Sequence, residues 1–217
     1  MSCYIPVSSN RRQDCEAIHT LYLEKEFMGK GSFGKVHEAC IRGTEDCGYV
    51  LKTSTMDVEK YNREGGKSFE RYYREWANEV DIHLKLNERQ DKYRLKFSPC
   101  IYDWWYCDEG EKVHFYILIE RYDGDLGRLL KNKTSLSAAM ELDRMAGYLG
   151  IIHYVCRICL NDISLRNMLY KQIGADEYEI VFADFYMASK DSDDECIRID
   201  RERFEDVKNQ FMIHRYR

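Results

Sequence analysis

An aspartate and an asparagine five positions apart, Asp162 and Asn167, stand among apolar residues in the stretch LNDISLRNML, residues 160–169. A carboxylate can orient a hydroxyl group for attack on a phosphate, and an amide oxygen can bind a magnesium ion that neutralises charge on the phosphates. This spacing alone occurs by chance in many proteins. It indicates phosphoryl transfer only when a phosphate-binding loop, a lysine and a second metal-binding acid occur in the same chain.

A glycine-rich stretch, residues 27–39, supplies the candidate phosphate-binding loop. Glycines let the backbone approach an anion closely, so that amide N–H groups can point at phosphate oxygens. A dinucleotide-binding loop would open a helix, whereas residues 35–41 are β-prone and predict a hairpin that covers nucleotide phosphates. The residues of this predicted loop are Gly29, Gly31, Ser32, Phe33 and Gly34.

The candidate lysine is Lys52, which ends the apolar run GYVL and would contact the α and β phosphates. A lysine at the end of a buried strand needs a partner that offsets its desolvation. The strongest helical pattern of the chain, residues 68–86, offers Glu79 as that partner, and Glu75 one turn earlier is the alternative.

Two further acids stand at predicted element boundaries. Asp184 follows the apolar strand segment YEIVFA, where it would join Asn167 in binding magnesium. Asp125 begins a helical region, where it would bond a ribose hydroxyl or only cap the helix.

Further predicted segments must position these groups. Residues 53–67 are polar and predict an exposed insertion, whereas residues 100–106 and 112–120 predict an antiparallel strand pair with an aromatic core. Residues 136–158 predict a helix broken near Gly147 or Gly150. Residues 87–96 predict a charged connection, and a last helix is predicted from Arg201 to about His214.

The span from about Phe27 to Asp184 resembles a eukaryotic-type protein kinase domain, through six motif-like segments in the same order. The resemblance implies an α+β, bilobal fold with a small β-rich N-lobe, one main helix in it, and a reduced, mainly helical C-lobe. It also implies an N-terminal arm at residues 1–20, the N-lobe at 21–120, and the hinge with a truncated C-lobe at 121–217.

The same resemblance assigns roles, with ATP as nucleotide and Mg²⁺ (or Mn²⁺) as metal. Asp162 would orient the acceptor hydroxyl, Lys52 paired with Glu79 would hold the phosphates, and Asn167 and Asp184 would bind the metal. The nucleoside would contact Val36, Val50, Leu169, the hinge residues Glu120 and Tyr122, and Asp125.

Several positions depart from the family pattern. Asn161 replaces the arginine before the catalytic aspartate, Ser164 replaces the lysine of serine/threonine kinases, and Arg166 stands where tyrosine kinases often carry arginine. Tyr186 replaces the D-F-G glycine, and no A-P-E motif follows. The segment 205–207 is predicted to contain the buried aspartate that supports the catalytic loop. The short C-terminal part also resembles small kinases encoded by large DNA viruses.

Three functions follow from these motifs. An active protein kinase, serine/threonine-specific, is favoured because Lys52, Asp162, Asn167 and Asp184 are all present. Tyr186 and the missing substrate platform favour a pseudokinase that binds nucleotide or a host or partner kinase. A phosphotransferase for a small molecule or an RNA pathway is the third. The protein substrate is not identified by any motif.

Composition and charge limit the classes of partner and the cell compartment that the sequence predicts. The 217-residue chain has a net charge of −5, which argues against a large basic surface for duplex nucleic acid. Its most apolar run, residues 113–119, is too short to cross a bilayer. Nine scattered cysteines predict reduced thiols in the cytoplasm, or the host cytoplasm for a viral protein. Cys156 and Cys159 are predicted to fill the core and not to bind zinc.

Overall fold

The computed structural model describes residues 12–31, 34–59, 68–132 and 136–215, which form an α+β protein with three sheets and four α-helices. The chain divides into two compact units. The first contains the residues up to Val80 together with Cys100–Arg121, and the second contains Asp81–Pro99 together with the residues from Tyr122 onward.

A six-stranded sheet with the order β1-β5-β6-β4-β3-β2 forms the first unit. Its neighbouring strands are antiparallel, apart from the parallel pair β1 and β5. A short 3-10 helix, Ala17–Thr20, precedes β2. The strands are β1 (Arg12–Gln13), β2 (Leu21–Gly31), β3 (Gly34–Ile41), β4 (Tyr49–Asp57), β5 (Ile101–Asp108) and β6 (Lys112–Glu120).

The predicted strand pair and its aromatic core are confirmed. β5 and β6 pair over their length, and the Trp105 ring stacks on Tyr116 with centroids 5.1 Å apart. The prediction of an exposed insertion from Thr53 is wrong for its first part, because β4 continues to Asp57, which pairs with Lys112 of β6. Residues 60–67 of that insertion lie outside the described residues.

Helix α1 (Phe69–Tyr93) contributes residues to both units, those up to Val80 to the first and those from Asp81 to the second. The second unit adds two small antiparallel sheets, β10-β9-β7 and β11-β8. Its elements are β7 (Gly124–Asp125), α2 (Leu126–Asn132), α3 (Leu136–Tyr154), β8 (Ile158–Cys159), β9 (Met168–Gln172), β10 (Tyr178–Phe182), β11 (Ser189–Lys190) and α4 (Asp194–Arg215).

The predicted connection at residues 87–96 is wrong, because α1 continues through most of it. Asn87 and Gln90 are polar but buried, and their side chains bond the chain that follows the helix. Gln90 Oε1 accepts the N–H groups of Phe97 and Ser98 at 3.2 and 3.1 Å, and Asn87 donates to the Pro99 carbonyl at 2.8 Å. These bonds satisfy buried backbone groups, which explains polar residues on a buried helix face.

Two other helix boundaries also differ from the prediction. α3 ends at Tyr154 and runs unbroken through Gly147 and Gly150. α4 begins at Asp194 and not at Arg201, because Asp193 Oδ1 accepts the Cys196 N–H at 2.8 Å and so caps the first turn. Among the residues that the structure describes, no helix is long and apolar enough to cross a membrane.

The cysteines differ from the prediction of reduced thiols. Between pairs of residues that the structure describes, three disulfides join Cys15 to Cys107, Cys40 to Cys47 and Cys159 to Cys196. The partners in two of these bridges are 92 and 37 residues apart, so spacing along the chain does not reveal them. Such bridges are typical of oxidising compartments. The cytoplasmic location stays a prediction.

A peptide mass map of unreduced protein from the producing cell tests both the disulfide bridges and the predicted cytoplasmic location. We expect the cross-linked Cys159–Cys196 peptide. Cys196→Ser should lower the free energy of unfolding by about 4 kcal/mol and Cys47→Ser by about 2 kcal/mol, because the longer loop restricts the unfolded chain more. Alkylated free thiols at both ends of each pair would contradict the bridges and agree with a reducing cytoplasm.

Candidate functional site

Asp162 and Asn167 lie in direct contact in the second unit. Asn167 Nδ2 donates to Asp162 Oδ2 at 2.8 Å and to the Asp162 carbonyl at 2.9 Å. The backbone N–H of Asn167 donates to the Ser164 carbonyl and hydroxyl at 3.1 and 3.3 Å, which closes the turn. Asp162 itself is exposed. In the described part of the chain no donor contacts Asn167 Oδ1, so that oxygen can face a cation.

Strand pairing brings the second predicted metal ligand close to the first along the backbone. β9 and β10 are antiparallel with Met168 opposite Phe182, and the Ala183 N–H donates to the Asn167 carbonyl at 2.8 Å. Asp184 is the next residue, and its φ of 60° lies in the left-handed region. Carboxylate and amide oxygens are the donors that magnesium prefers. The donor set therefore fits a magnesium ion.

A buried aspartate holds the backbone just before Asp162, but it is Asp200 of α4. Asp200 is completely buried and accepts the N–H groups of Leu160 and Asn161 at 2.7 and 2.8 Å. It also accepts His153 Nε2–H at 3.0 Å. The prediction that residues 205–207 supply this aspartate is wrong, since Asp206 is exposed. The sequence signal that was missed is the spacing of Asp200 with apolar Ile197 and Phe204 on one face of α4.

Asn161, the residue before Asp162, connects the loop to the segment after Asp184. Its Nδ2 donates to the Met187 carbonyl at 3.1 Å and to the Ser189 hydroxyl at 2.9 Å. Its backbone has a φ of 61°, and Arg203 of α4 donates to its carbonyl. Left-handed φ values at non-glycine residues need support from their surroundings and cluster at functional sites. These bonds give that support here.

The residue after Asp184 is fixed by burial. Phe185 is 2 % exposed and packs edge-on against His83, with ring centroids 5.0 Å apart. Tyr186 follows, and the Ala188 N–H donates to the Phe185 carbonyl at 3.1 Å. The Asp184 backbone is therefore flanked by ordered contacts on both sides.

In the first unit, Lys52 and Glu79 form the ion pair that the sequence predicts. Lys52 Nζ lies 2.6 Å from Glu79 Oε1, and the two side chains are 18 % and 7 % exposed. The alternative partner Glu75 instead pairs with Arg71 at 3.3 Å. Because Glu79 is buried, loss of the lysine would leave a poorly solvated carboxylate. The pair can hold the ammonium group in position for an anion.

The predicted glycine-rich hairpin is formed by β2 and β3, with Gly29 opposite Val36 and Gly31 opposite Gly34. Ser32 and Phe33, at its tip, lie outside the described residues. A Cβ atom at position 34 would lie 2.1 Å from the Thr53 carbonyl oxygen, so only glycine fits there. This close approach explains one glycine of the motif by packing against β4.

Val36 and Val50 lie on adjacent strands of this sheet, half-buried and buried respectively. Glu120 ends β6, and its Oε2 accepts the Cys100 N–H at 3.2 Å. Neither observation tests contact with a nucleoside, so the assignment of Val36, Val50 and Glu120 as nucleoside contacts stays a prediction.

The remaining predicted contacts lie in the second unit. The Tyr122 ring is buried and its hydroxyl donates to Glu179 at 2.8 Å, so only its backbone can face a ligand. Asp125 Oδ1 accepts the Arg128 N–H at 2.8 Å and caps α2, which was one of its two predicted roles. Leu169 is half-buried in β9, opposite Asp125.

Two cysteine-containing groups do not form metal sites. His153, Cys159 and Asp200 bring possible ligand atoms together, but Cys159 is bonded to Cys196 and has no thiolate. Burial raises the pKa of the Cys156 thiol, which keeps it protonated and unreactive. Both cysteines are buried, as predicted, but Cys159 is bonded to Cys196 and is not the reduced thiol that the sequence predicts.

No protein-family model matches this chain, and no curated protein matches it.

Proposed function

We propose that the protein is an ATP-dependent protein kinase with a compact bilobal kinase-like fold, which transfers the γ-phosphate of ATP to a serine or threonine hydroxyl. One observation supports the proposal most strongly. Asp162 and Asn167 share a 2.8 Å hydrogen bond, and Asp184 directly follows the residue whose N–H is bonded to Asn167. Phosphoryl transfer requires an acid that orients the acceptor hydroxyl and oxygen ligands that bind a cation. In the second unit, Asp162 would be that acid, and Asn167 and Asp184 would supply the oxygen ligands.

In this proposal Asp162 accepts a hydrogen bond from the substrate hydroxyl and orients its oxygen toward the phosphate. Asn167 and Asp184 would hold magnesium, with manganese as the alternative, and the ion would offset charge that develops on the phosphates. Lys52, kept in position by Glu79, contacts the nucleotide phosphates. The chain contributes positioning and charge neutralisation, and no covalent intermediate is required.

Specific observations favour a pseudokinase as the second candidate. Tyr186 replaces a flexible glycine two residues after Asp184, and Phe185 between them is buried against His83. Such a segment would resist the backbone changes that glycine allows. A pseudokinase would bind nucleotide or a partner kinase without transferring phosphate.

A labelled-ATP assay with casein and myelin basic protein as acceptors, with magnesium and with excess chelator, tests the proposal. We expect transfer that depends on magnesium. A thermal shift with nucleotide and no transfer to either acceptor or to the protein itself would identify the pseudokinase.

Lys52→Met should lower turnover about a hundredfold or more, because the phosphates lose a preorganised positive charge. The thermal unfolding temperature must be measured in parallel, since Glu79 loses its partner. The matched control is Lys112→Met on β6, an exposed lysine that lies outside the glycine-rich hairpin and takes no part in the ion pair. Wild-type turnover in the Lys52 variant would remove this lysine from the mechanism.

A further inference from the structure

A cleft of about 660 Å³ lies in the second unit beside the loop that carries Asp162. Residues 163–166 of that loop form one part of its lining. Helices α2 and α4 form the rest, together with Asp125 at the end of β7. The cleft therefore begins one residue after the acid that is proposed to orient the acceptor hydroxyl.

Positive side chains from three segments line this cleft. α2 contributes Arg128 and Lys131, the loop contributes Arg166, and α4 contributes Arg203. The lining holds two acids, Asp125 and Asp206, which leaves four positive against two negative groups, a net charge of +2. The whole chain carries −5, so this local excess runs against the general composition.

Among the described residues, no carboxylate forms an ion pair with these cations. Arg128 donates to the backbone carbonyl of Asp123 at 3.5 Å, and Arg203 donates to that of Asn161. Lys131 and Arg166 are exposed, and within the described residues neither has a carboxylate partner. Asp125, in contrast, is already engaged as the cap of α2. The positive charge of the cleft is available to a ligand.

We propose that this cleft binds an acidic stretch of the protein substrate, next to the residue that is phosphorylated. This inference rests on the proposed function, since it names the substrate class of the same site. Cations from three segments suit carboxylates spread along a peptide, and Leu165 offers it an apolar contact. The described residues of the lining include no aromatic side chain on which nucleic acid bases could stack, so a peptide is favoured over RNA.

Binding of labelled peptides in the absence of ATP tests this cleft independently of catalysis. One peptide carries serine followed by a run of glutamates, and its matched control carries glutamines. We expect the glutamate peptide to bind at least about tenfold more tightly, and Lys131→Glu with Arg166→Glu to remove the difference. Binding should also weaken as salt rises, because the cations are exposed.

Lys92→Glu, an exposed charge reversal at the end of α1, is the control variant and should keep the preference. The proposal would be overturned if the two peptides bound with equal affinity, or if the Lys92 variant lost the preference for the glutamate peptide as fully as the Lys131 and Arg166 variant does. Tighter binding of a single-stranded RNA oligonucleotide would also overturn it. Peptide preference without any phosphate transfer would support the cleft and overturn the kinase. Transfer to both peptides at equal rates would support the kinase and overturn the cleft.

Discussion

Asp162→Asn should reduce phosphoryl transfer by about a thousandfold while it changes ATP affinity by less than about twofold. In the proposed mechanism the carboxylate orients the acceptor hydroxyl, which an amide cannot deprotonate or orient in the same way. The nucleotide would instead be held by Lys52 and by the metal ligands Asn167 and Asp184. Transfer of labelled phosphate and the nucleotide-induced thermal shift measure the two effects separately.

The loop should keep its conformation in this variant. The new amide oxygen can still accept the hydrogen bond that Asn167 Nδ2 now gives to Asp162 Oδ2. Because Asp162 is exposed, the substitution also removes no packing contact from the core. Asp176→Asn, an exposed acid in the turn between β9 and β10, is the matched control. Phosphate transfer at the wild-type rate in the Asp162 variant would exclude this residue from the mechanism.

Asp200→Asn should lower the free energy of unfolding by about 3–5 kcal/mol and reduce transfer at the same time. The carboxylate is completely buried and accepts three hydrogen bonds, from Leu160 N–H, Asn161 N–H and His153 Nε2–H. An amide turns an NH₂ group toward at least one of these donors. That donor is then buried without an acceptor, which destabilises the loop in front of Asp162.

Chemical denaturation and the transfer assay measure these two effects. Glu205→Gln is the control, because this glutamate is exposed on the same helix and its ion pair with Lys208, at 3.8 Å, is a surface pair of little energy. Its unfolding free energy should change by less than about 0.5 kcal/mol. An Asp200 variant as stable as the wild type would mean that the three hydrogen bonds contribute little.

Local sequence patterns were sufficient to predict the strands, the hairpin and the helix that carry the candidate residues. Apolar and aromatic runs predict β5 and β6, the glycine-rich stretch with its β-prone continuation predicts the β2–β3 hairpin, and helical spacing predicts α1 with Glu79 on it. The burial of Glu79 is a finding of the structure. The ion pair of Lys52 with Glu79 followed from a simple argument about desolvation. A lysine that ends a buried strand requires a partner, and the next helix offered two candidates.

The end of helix α1 and the aspartate that holds the loop before Asp162 could not be predicted in this way, because each depends on hydrogen bonds to a distant segment. α1 continues past residue 86 because Asn87 and Gln90 find acceptors and donors at residues 97–99. Asp200 was missed because an aspartate in a charged helix is usually solvated, and only the folded chain presents it with two loop amides.

The sequence by itself determined which chemical groups the protein carries and in what order: a glycine-rich hairpin, a lysine with its acid, and the Asp162, Asn167 and Asp184 set. Only the tertiary structure decided which acid supports the loop, which cysteines are bridged and where positive charge collects. Short-range order follows from local spacing, since neighbours along a strand or helix are neighbours in space. Long-range pairing has no such rule, because it depends on the packing of the whole unit.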